Sequence, residues 1–395
     1  MTIFEVLFWV SVFIITYTYF IYPVLLIIAS SLTQAVRDTR FVLKKASRRK
    51  ANSDIPSVTV VIAAYNEEKC IRERVENLLS LEYPREKLTI LIGSDGSNDD
   101  TNTILSDFQS YPQMQIHLFE ENRGKINVLN DLLTRVDTPI CVFSDANTFF
   151  DKDAVQRLVA DFRHDDVGAV CGELELVDPF SGKNKDSLYW KYEQVLKFHE
   201  NRINGMLGAN GAIYAIRTEL YRPLPSDTII DDFCVFMNIA KMGYRLTYNP
   251  EARAKEEIAP NLVEEASRRI RIGAGNYQAM SRLTWALNPL IGARCFSYIS
   301  HKVMRWFVPH CMLLALLSNV VLSFYSGGYA LLLAAQILFY GLFTVGARST
   351  RDMTGKLGAV INLITFFVSM NISLGRGFVR FLTTRQTATW ERTAR

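Results

Sequence analysis

The residues of this chain best suited to chemistry are acids that stand just after apolar runs. Ala64-Tyr65-Asn66-Glu67, Ser94-Asp95-Gly96-Ser97-Asn98-Asp99-Asp100 and Ser144-Asp145-Ala146-Asn147 each follow such a run, and Ile230-Asp231-Asp232 precedes a helical pattern. A helix N-cap explains any one of them, because Asn66, Asp99 or Asn147 can cap the next helix. Paired acids at a helix N-terminus also suit its dipole. Glu67, Asp95 and Asp145 taken together resist that explanation. Carboxylates crowded into one cleft repel, and a divalent cation, a hydrogen-bonded substrate or a nearby lysine must compensate. Asp231-Asp232 then reads as a general base held near a reacting hydroxyl. Arg268-Arg269-Ile270-Arg271 is a cluster able to clamp a diphosphate leaving group, with membrane-surface charge as the plain alternative. Lys125, in Arg123-Gly124-Lys125 ahead of a helix, can meet a phosphate as a point charge; on its own that signal is weak, since a lysine there is usually a solvated surface residue.

Other chemistries are not supported. There is no GxxxxGK[ST] phosphate loop and no GxGxxG turn. The six cysteines, Cys70, Cys141, Cys171, Cys234, Cys295 and Cys311, have no zinc spacing and read as buried thiols, and the five histidines form no ligand pattern. A 395-residue chain that is 49% hydrophobic and 21% charged is neither disordered nor a disulfide scaffold. The net charge of +4 conceals a division: residues 51–284 carry −10 and the flanks carry +14. A basic flank suits nucleic acid or a membrane surface, and the apolar runs decide for the membrane.

The elements that must position the acids alternate in type. Strands are expected at Val58–Ala64, Leu88–Ile92, Gln115–Phe119 and Pro139–Phe143. Helices are expected between and after them at Glu67–Ser80, Asp99–Gln109, Lys125–Thr134 and Asp153–Phe162. A strand at Val167–Leu176, a helix at Asp186–Asn204, a strand at Ala212–Arg217 and a helix at Phe233–Met242 follow. This is an α/β pattern with a mainly parallel sheet, in which ligands bind at the carboxyl ends of strands.

Val6–Val36 contains no charged residue, 31 positions in a row, and Trp306–Ala347 only His310 in 42. About 20 apolar residues cross a bilayer, so the first run is one span, with Pro23 a tolerated kink. The second is two spans turning at Ser326-Gly327-Gly328, and Leu357–Gly375 is a shorter third segment. Arg37, Arg40, Lys44, Lys45, Arg48, Arg49 and Lys50 follow the first span, which places that end in the cytoplasm and the N-terminus outside. Arg348, Arg351 and Lys356 agree. A fourth crossing would leave Arg376, Arg380, Arg385, Arg392 and Arg395 outside, so Leu357–Gly375 reads as re-entrant or interfacial. Arg294, Ser297, His301 and Arg305 recur at helical spacing and suggest an amphipathic helix in the membrane interface.

With these motifs in order, the chain resembles a membrane-embedded family-2 glycosyltransferase with a GT-A (Rossmann-like) catalytic domain. It is similar to the bacterial exopolysaccharide synthases related to cellulose, chitin and hyaluronan synthases. The resemblance covers almost the whole chain. It implies an N-terminal transmembrane helix (1–36), a basic juxtamembrane linker (37–53) and a cytoplasmic GT-A domain (54–284). An interface helix (285–305), about three C-terminal transmembrane helices (306–375) and a basic tail (376–395) complete the expected order, in the plasma (inner) membrane.

The resemblance also implies roles. Tyr65, Asn66 and Glu67 match the motif that holds the nucleoside, and Asp95 the acid that faces uracil. Lys125, with Leu129-Asn130, matches the lysine near the diphosphate. Asp145-Ala146-Asn147 sits at the DxD position, so Asp145 and Asn147 are the expected ligands of Mg²⁺ or Mn²⁺. Gly208, Asn210 and the rest of Gly208–Ala212 match a loop near the acceptor sugar. Asp231-Asp232 matches the TED position, with Asp232 as the base. Arg268–Ile272 occupies the QxxRW position, with Arg271 as its arginine and Arg268 beside the acceptor. Three residues depart from the pattern. Asn147 replaces an acid, which removes one charged ligand but keeps an oxygen for the metal. Arg268 replaces Gln, and Ile272 replaces the Trp that stacks on the acceptor in processive synthases.

The expected activity is inverting transfer of a sugar from a nucleotide-sugar donor of the UDP type to a growing polysaccharide or lipid-linked acceptor, among membrane lipid and without nucleic acid. Two alternatives stand beside it: a single-sugar transferase acting on a polyprenyl-linked acceptor, and a catalytically silent protein that binds nucleotide sugars.

Overall fold

Val58–Ala64 is buried at every position because, in the computed structural model, it is a central strand (β1) paired on both sides. The structure describes residues 1–43, 54–177, 188–257, 262–349 and 354–384. Lys44, Lys45, Arg48, Arg49, Lys50, Arg351, Arg385, Arg392, Arg395 and the expected helix start at Asp186 lie outside them. The described residues divide into two units: those within 26–262 together with 283–297, and those within 1–25, 263–282 and 298–384.

The first unit is built on one sheet. Its strands are β1, β2 (Leu88–Asp95), β3 (Met114–Phe119), β4 (Ile140–Phe143), β5 (Phe149–Phe150), β6 (Val167–Val177), β7 (Tyr214–Arg217) and β8 (Arg245–Glu257). They lie in the order β3-β2-β1-β4-β7-β6-β8-β5. The pairs β1–β2, β1–β4, β2–β3 and β6–β8 are parallel, whereas β7 is antiparallel to both neighbours. This is the mainly parallel, Rossmann-like sheet expected. Its apolar faces pack against α3 (Ile71–Leu79) and α6 (Ala154–Ala160), and Ile71, Val75, Leu78, Val155 and Leu158 are buried there.

Register decides where the polar loops go. Ala64 lies beside Ser94, and Val61 beside Phe143, so β1, β2 and β4 release Tyr65–Glu67, Gly96–Asp100 and Ser144–Asn147 from one edge. Because β7 is antiparallel to β4, Tyr214 pairs with Phe143. The residues just before Tyr214 therefore arrive at that same edge.

Two strands depart from the sequence expectation. β8 was expected as no strand, because Asn249-Pro250 and five charged residues interrupt its apolar signal. From Glu251 onward, however, exposed and buried positions alternate strictly, as on a sheet with one covered face. β5 is a two-residue pairing too short to carry a period.

The remaining helices of this unit are α4 (Thr101–Ser106), α5 (Lys125–Leu133), α7 (Leu188–Arg202), α8 (Asp231–Lys241) and α10 (Ala293–Ser297), together with part of α2 (Tyr22–Leu43). The second unit contains α1 (Thr2–Thr16), α9 (Leu262–Arg282, from Val263 on), α11 (Met304–Ser323), α12 (Gly327–Arg348) and α13 (Gly355–Thr383).

Four helical runs are long and apolar enough to cross a membrane: Thr2–Leu43, Ala293–Ser323, Gly327–Arg348 and Gly355–Thr383. In the first, Tyr17–Ile21 is a π turn just ahead of Pro23. Such a turn is a usual way for a helix to absorb a proline that cannot donate an N–H. Gly355–Thr383 is one unbroken 29-residue helix, longer at both ends than the Leu357–Gly375 segment read from its apolar run. It meets α9 where Gly377 faces Gly273; a Cβ on Gly377 would come within 2.8 Å of the Gly273 backbone.

The segment 285–305 also differs from expectation. It is not one amphipathic helix: short 3₁₀ turns at Thr284–Leu287 and Pro289–Ile291 lead into a helix that starts at Ala293 and continues through a π segment into α11. Its polar stripe is turned inward. Ser297, His301 and Arg305 are buried, and Arg294 donates to the carbonyls of Ala240 and Tyr244. Helical spacing locates a polar face but does not say whether water or protein covers it.

Candidate active site

The two loops after β1 and β2 are stitched together. Asn66 takes a left-handed backbone conformation (φ 54°). Its N–H donates to Ser97 Oγ (3.0 Å), and its Oδ1 accepts from Asn98 N–H (2.9 Å). Glu67 N–H donates to Thr101 Oγ1 (2.8 Å), and Glu68 N–H to Asp99 Oδ2 (3.2 Å). Asp99 also accepts from Thr101 N–H at the head of α4 (3.0 Å), but it stands one residue ahead of the cap position, Asp100, whose side chain makes no capping bond. Asn66 is no helix cap, since its side chain crosses to the other loop. Tyr65 is half-buried beside it.

Asp95, expected to face a base, is fully buried at the end of β2. Its Oδ1 accepts from Arg123 N–H and its Oδ2 from Gly124 N–H, both at 2.8 Å. It holds the turn that launches α5, with Gly124 at φ 87°, and thereby sets the position of Lys125.

Lys125 stands at the centre of the acids. Its Nζ lies 2.8 Å from Asp145 Oδ1 and 3.4 Å from Asp231 Oδ2. Burial opposes its charge, but attraction from Asp145, Asp231 and Asp232 outweighs it and raises the lysine pKa. Of the three ways to offset crowded carboxylates, the nearby lysine is thus present in the protein itself. Asp232 is half-buried, and its Oδ1 accepts from Phe233 N–H (2.8 Å). Burial first, then the neighbouring Asp231 charge, push its carboxyl up to about 7, against the pull of Phe233 N–H and Lys125.

The loop before β7 closes the site by being small. A Cβ on Gly211 would sit 3.4 Å from Asp145 Oδ2 and 3.7 Å from Lys125 Nζ. On Gly208 it would strike the Phe233 ring at 2.6 Å, so Gly208 lets the loop approach the head of α8. Asn210 is tied to backbone on both sides, donating to Gly172 O and accepting from Ile213 N–H. Arg268 and Arg271 lie on α9 in the other unit, half-buried and exposed respectively. They are not among the residues that the sheet edge gathers.

The donor set suits a hard divalent cation, which prefers oxygen. Asp145 offers a carboxylate. Asn147 directs its Nδ2 to Glu256 Oε1 (3.4 Å), which leaves the amide oxygen as its ligand-type atom. Buried Asp231 Oδ2 makes no hydrogen bond. Among the described residues, no three His, Cys, Asp or Glu side chains form a metal-holding group.

One residue that sequence reasoning missed lies directly behind this loop. Arg74 on α3 is completely buried and donates to Ser144 Oγ (2.8 Å). The signal was its spacing: positions 71, 74, 75 and 78 form one helical face, and the other three are core residues.

A Rossmann-like sheet with acids gathered at its strand ends, in a chain with four span-length helices, defines a GT-A glycosyltransferase of the membrane type. Residues 59–218 match the model of glycosyl transferase family 2, and residues 140–344 that of glycosyl transferase family group 2. The second match covers more than half of the chain, and the protein belongs to this family. The poly-β-1,6-N-acetyl-D-glucosamine synthase of Staphylococcus aureus (strain COL) is 27% identical over 278 residues, covering 66% of this chain and 65% of that protein. The synthase of the same name from Staphylococcus epidermidis is 25% identical over 250 residues, covering 60% and 58%. The chain thus spans less than two thirds of the length of these curated relatives. The mannosyltransferase from Pyrobaculum calidifontis, solved in complex with GDP-Man and Mn²⁺, shares the fold with a TM-score of 0.64 at 21% identity, over 91% of this chain and 98% of that one.

Proposed function

We propose that the protein transfers a sugar, with inversion, from a nucleotide-sugar donor to a saccharide acceptor at a membrane. The observation that carries this reading is Asp232, an acid pushed up to about 7 beside Asp231 and Lys125 at the head of α8. A carboxylate so placed takes a proton from a hydroxyl near neutral pH far better than an ordinary aspartate. As the acceptor hydroxyl gives its proton to Asp232, its oxygen bonds to the anomeric carbon. The bond from that carbon to the nucleotide diphosphate breaks on the opposite face, which inverts the centre.

Asp145 and Asn147 would hold Mg²⁺ or Mn²⁺ together with diphosphate oxygens, the usual mode of binding for a cation with few protein carboxylates. Such a cation would neutralise the departing diphosphate. A related fold solved with GDP-Man and Mn²⁺ supports a divalent cation as part of the reading. Lys125 balances the acids before donor arrives and stands where the diphosphate charge would come to lie. Tyr65, Asn66 and Glu67 frame the nucleoside, and Asp95 fixes the turn beneath it. Gly208 and Asn210 border the acceptor. UDP is the proposed nucleotide.

The names of the relatives favour a growing polysaccharide as acceptor. Ile272, where a processive synthase has a stacking Trp, favours the second reading: one or a few sugars passed to a polyprenyl-linked acceptor. The reading further places the catalytic unit in the cytoplasm, against the plasma membrane.

The test is a screen of purified protein against several nucleotide sugars, scoring nucleotide release with and without Mg²⁺ or Mn²⁺, followed by sizing of the product. A ladder supports the polymer, and one discrete lipid-linked band supports the second reading. Asp232→Asn should bind donor as before while turnover falls about 10²–10⁴-fold. Wild-type transfer by Asp232→Asn defeats the mechanism, and donor binding without nucleotide release from any acceptor mixture identifies a silent binding protein.

A further inference from the structure

The loop that carries Asp145 and Asn147 is gripped at both ends by two residues of α3, and this arrangement deepens the reading above, on which it rests. At the leading end, Arg74 Nη2 donates to Ser144 Oγ (2.8 Å), and Ser144 Oγ in turn donates to the Ala212 carbonyl (2.8 Å). At the trailing end, Asn77 Nδ2 donates to the Phe150 carbonyl and Asn77 Oδ1 accepts from Phe150 N–H, both at 2.9 Å. Arg74 Nη1 joins the two grips by donating to Asn77 Oδ1 (2.7 Å). The guanidinium lies over the Phe150 ring, 4.4 Å from its centroid.

This is an expensive way to brace a loop. Arg74 has no exposed surface, and its Nε has no hydrogen-bond partner. Burying a charge is costly unless it is paired. Burial pushes its pKa down to about 9, and the attraction of Asp145 works against that fall. A leucine or methionine would fill the same core face without such a cost. The arginine instead places a fixed positive charge and two directed donors behind the Asp145 carboxylate.

We propose that Arg74 and Asn77 form a clamp that holds the Asp145–Asn147 loop in its ligand-presenting shape, making Arg74 a positioning residue for binding of the divalent cation with the nucleotide diphosphate. Partners one step behind metal ligands typically change metal affinity about 10–100-fold when removed.

The test follows Mn²⁺ by electron paramagnetic resonance as it is titrated into the full-length protein with a nucleoside diphosphate, alongside thermal midpoints. Arg74→Met should raise the Mn²⁺ needed for half-saturation at least about tenfold, with nucleotide binding in metal-free buffer unchanged. Arg74→Lys, which keeps the charge but not the fork, should fall between Arg74→Met and wild type. Should Arg74→Met fail to fold, Asn77→Ala opens the trailing grip and should shift the same titration. Leu78→Ala, a buried residue of the same helix, controls for general destabilisation. Wild-type titration by Arg74→Met or by Asn77→Ala overturns the clamp. Equal weakening by Leu78→Ala at a matched midpoint overturns it too, because the role would then be scaffolding alone. A wild-type protein that takes up no Mn²⁺ with nucleotide defeats the underlying reading together with the clamp.

Discussion

Lys125 Nζ and Asp145 Oδ1 stand 2.8 Å apart, and this pair joins the proposed phosphate-facing cation to the proposed metal ligand. In the free protein each satisfies the other.

Removing the cation should therefore expose the repulsion among Asp145, Asp231 and Asp232. Lys125→Met is expected to lower stability by about 1–3 kcal/mol, the usual cost of leaving a buried polar group unpaired. Mn²⁺ should raise the thermal midpoint of Lys125→Met by more than it raises that of wild type, because the cation then offsets the acids alone. Calorimetry with and without Mn²⁺ checks both points. An equal rise in the two proteins would mean that lysine and metal do not address the same carboxylates.

Asp232 sets a pH limb. Its carboxyl is raised from 3.8 to about 7 on folding, so the folded state keeps this proton to higher pH than the unfolded chain. The group consequently costs stability as pH rises from about 4 to about 7, and the cost is constant above that. If Asp232 is the base, as proposed, it exists as one only after the proton has left, so kcat/KM should climb through about pH 7. Asp231 is the like charge that helps to raise it, and Asp231→Asn should move the limb to lower pH. A limb that stays in place or rises in Asp231→Asn counts against the pair.

Gly211 leaves the Asp145 carboxylate open. A methyl there meets Asp145 Oδ2 and Lys125 Nζ only at ordinary contact distance, 3.4 and 3.7 Å, so Gly211→Ala should fold with an unchanged thermal midpoint. It should nonetheless weaken donor binding about tenfold or more, since that space lies against the oxygen proposed to bind the metal. Steady-state kinetics over donor concentration separates the two effects. A wild-type KM would show that donor does not approach Asp145 from this side.

Asp95 is expected to act through shape. Asp95→Asn turns an amide N–H toward Arg123 N–H or Gly124 N–H, where a carboxylate oxygen now accepts. The loss should be about 1–3 kcal/mol, with Lys125 displaced as a result. The rise in the Lys125 pKa should shrink, which chemical modification of Lys125 across pH can read. Unchanged stability would leave Asp95 free for the base-facing role that its motif implied.

Much of this site could be read from residue order. β1 runs over the residues expected, Val58–Ala64, because an apolar run with polar residues at both ends marks a strand covered on both faces. Glu67, Asp95, Asp145, Asp231 and Asp232 were expected to share one cleft; Asp145 and Asp231 do meet, at Lys125, a residue that by itself read as solvated surface. What escaped was whatever depends on the partner of a polar side chain. Arg74 looks like any charged helix residue until the core is seen on its flanks. Asp95 carries a binding motif, yet both its oxygens are occupied by backbone. β8 hid because its alternation is written in Ala252, Ala254 and Glu256, residues without a strong strand preference.

The stitched loops after β1 and β2 limit how the proposed donor pocket can be re-engineered. Asn66, Ser97, Glu68 and Asp99 are committed to one another, so replacing one loop alone strands donors and acceptors on the other. Altered nucleotide preference is within reach only by exchanging the two segments as a matched cassette, or by changing a side chain such as Tyr65 and leaving the cassette intact.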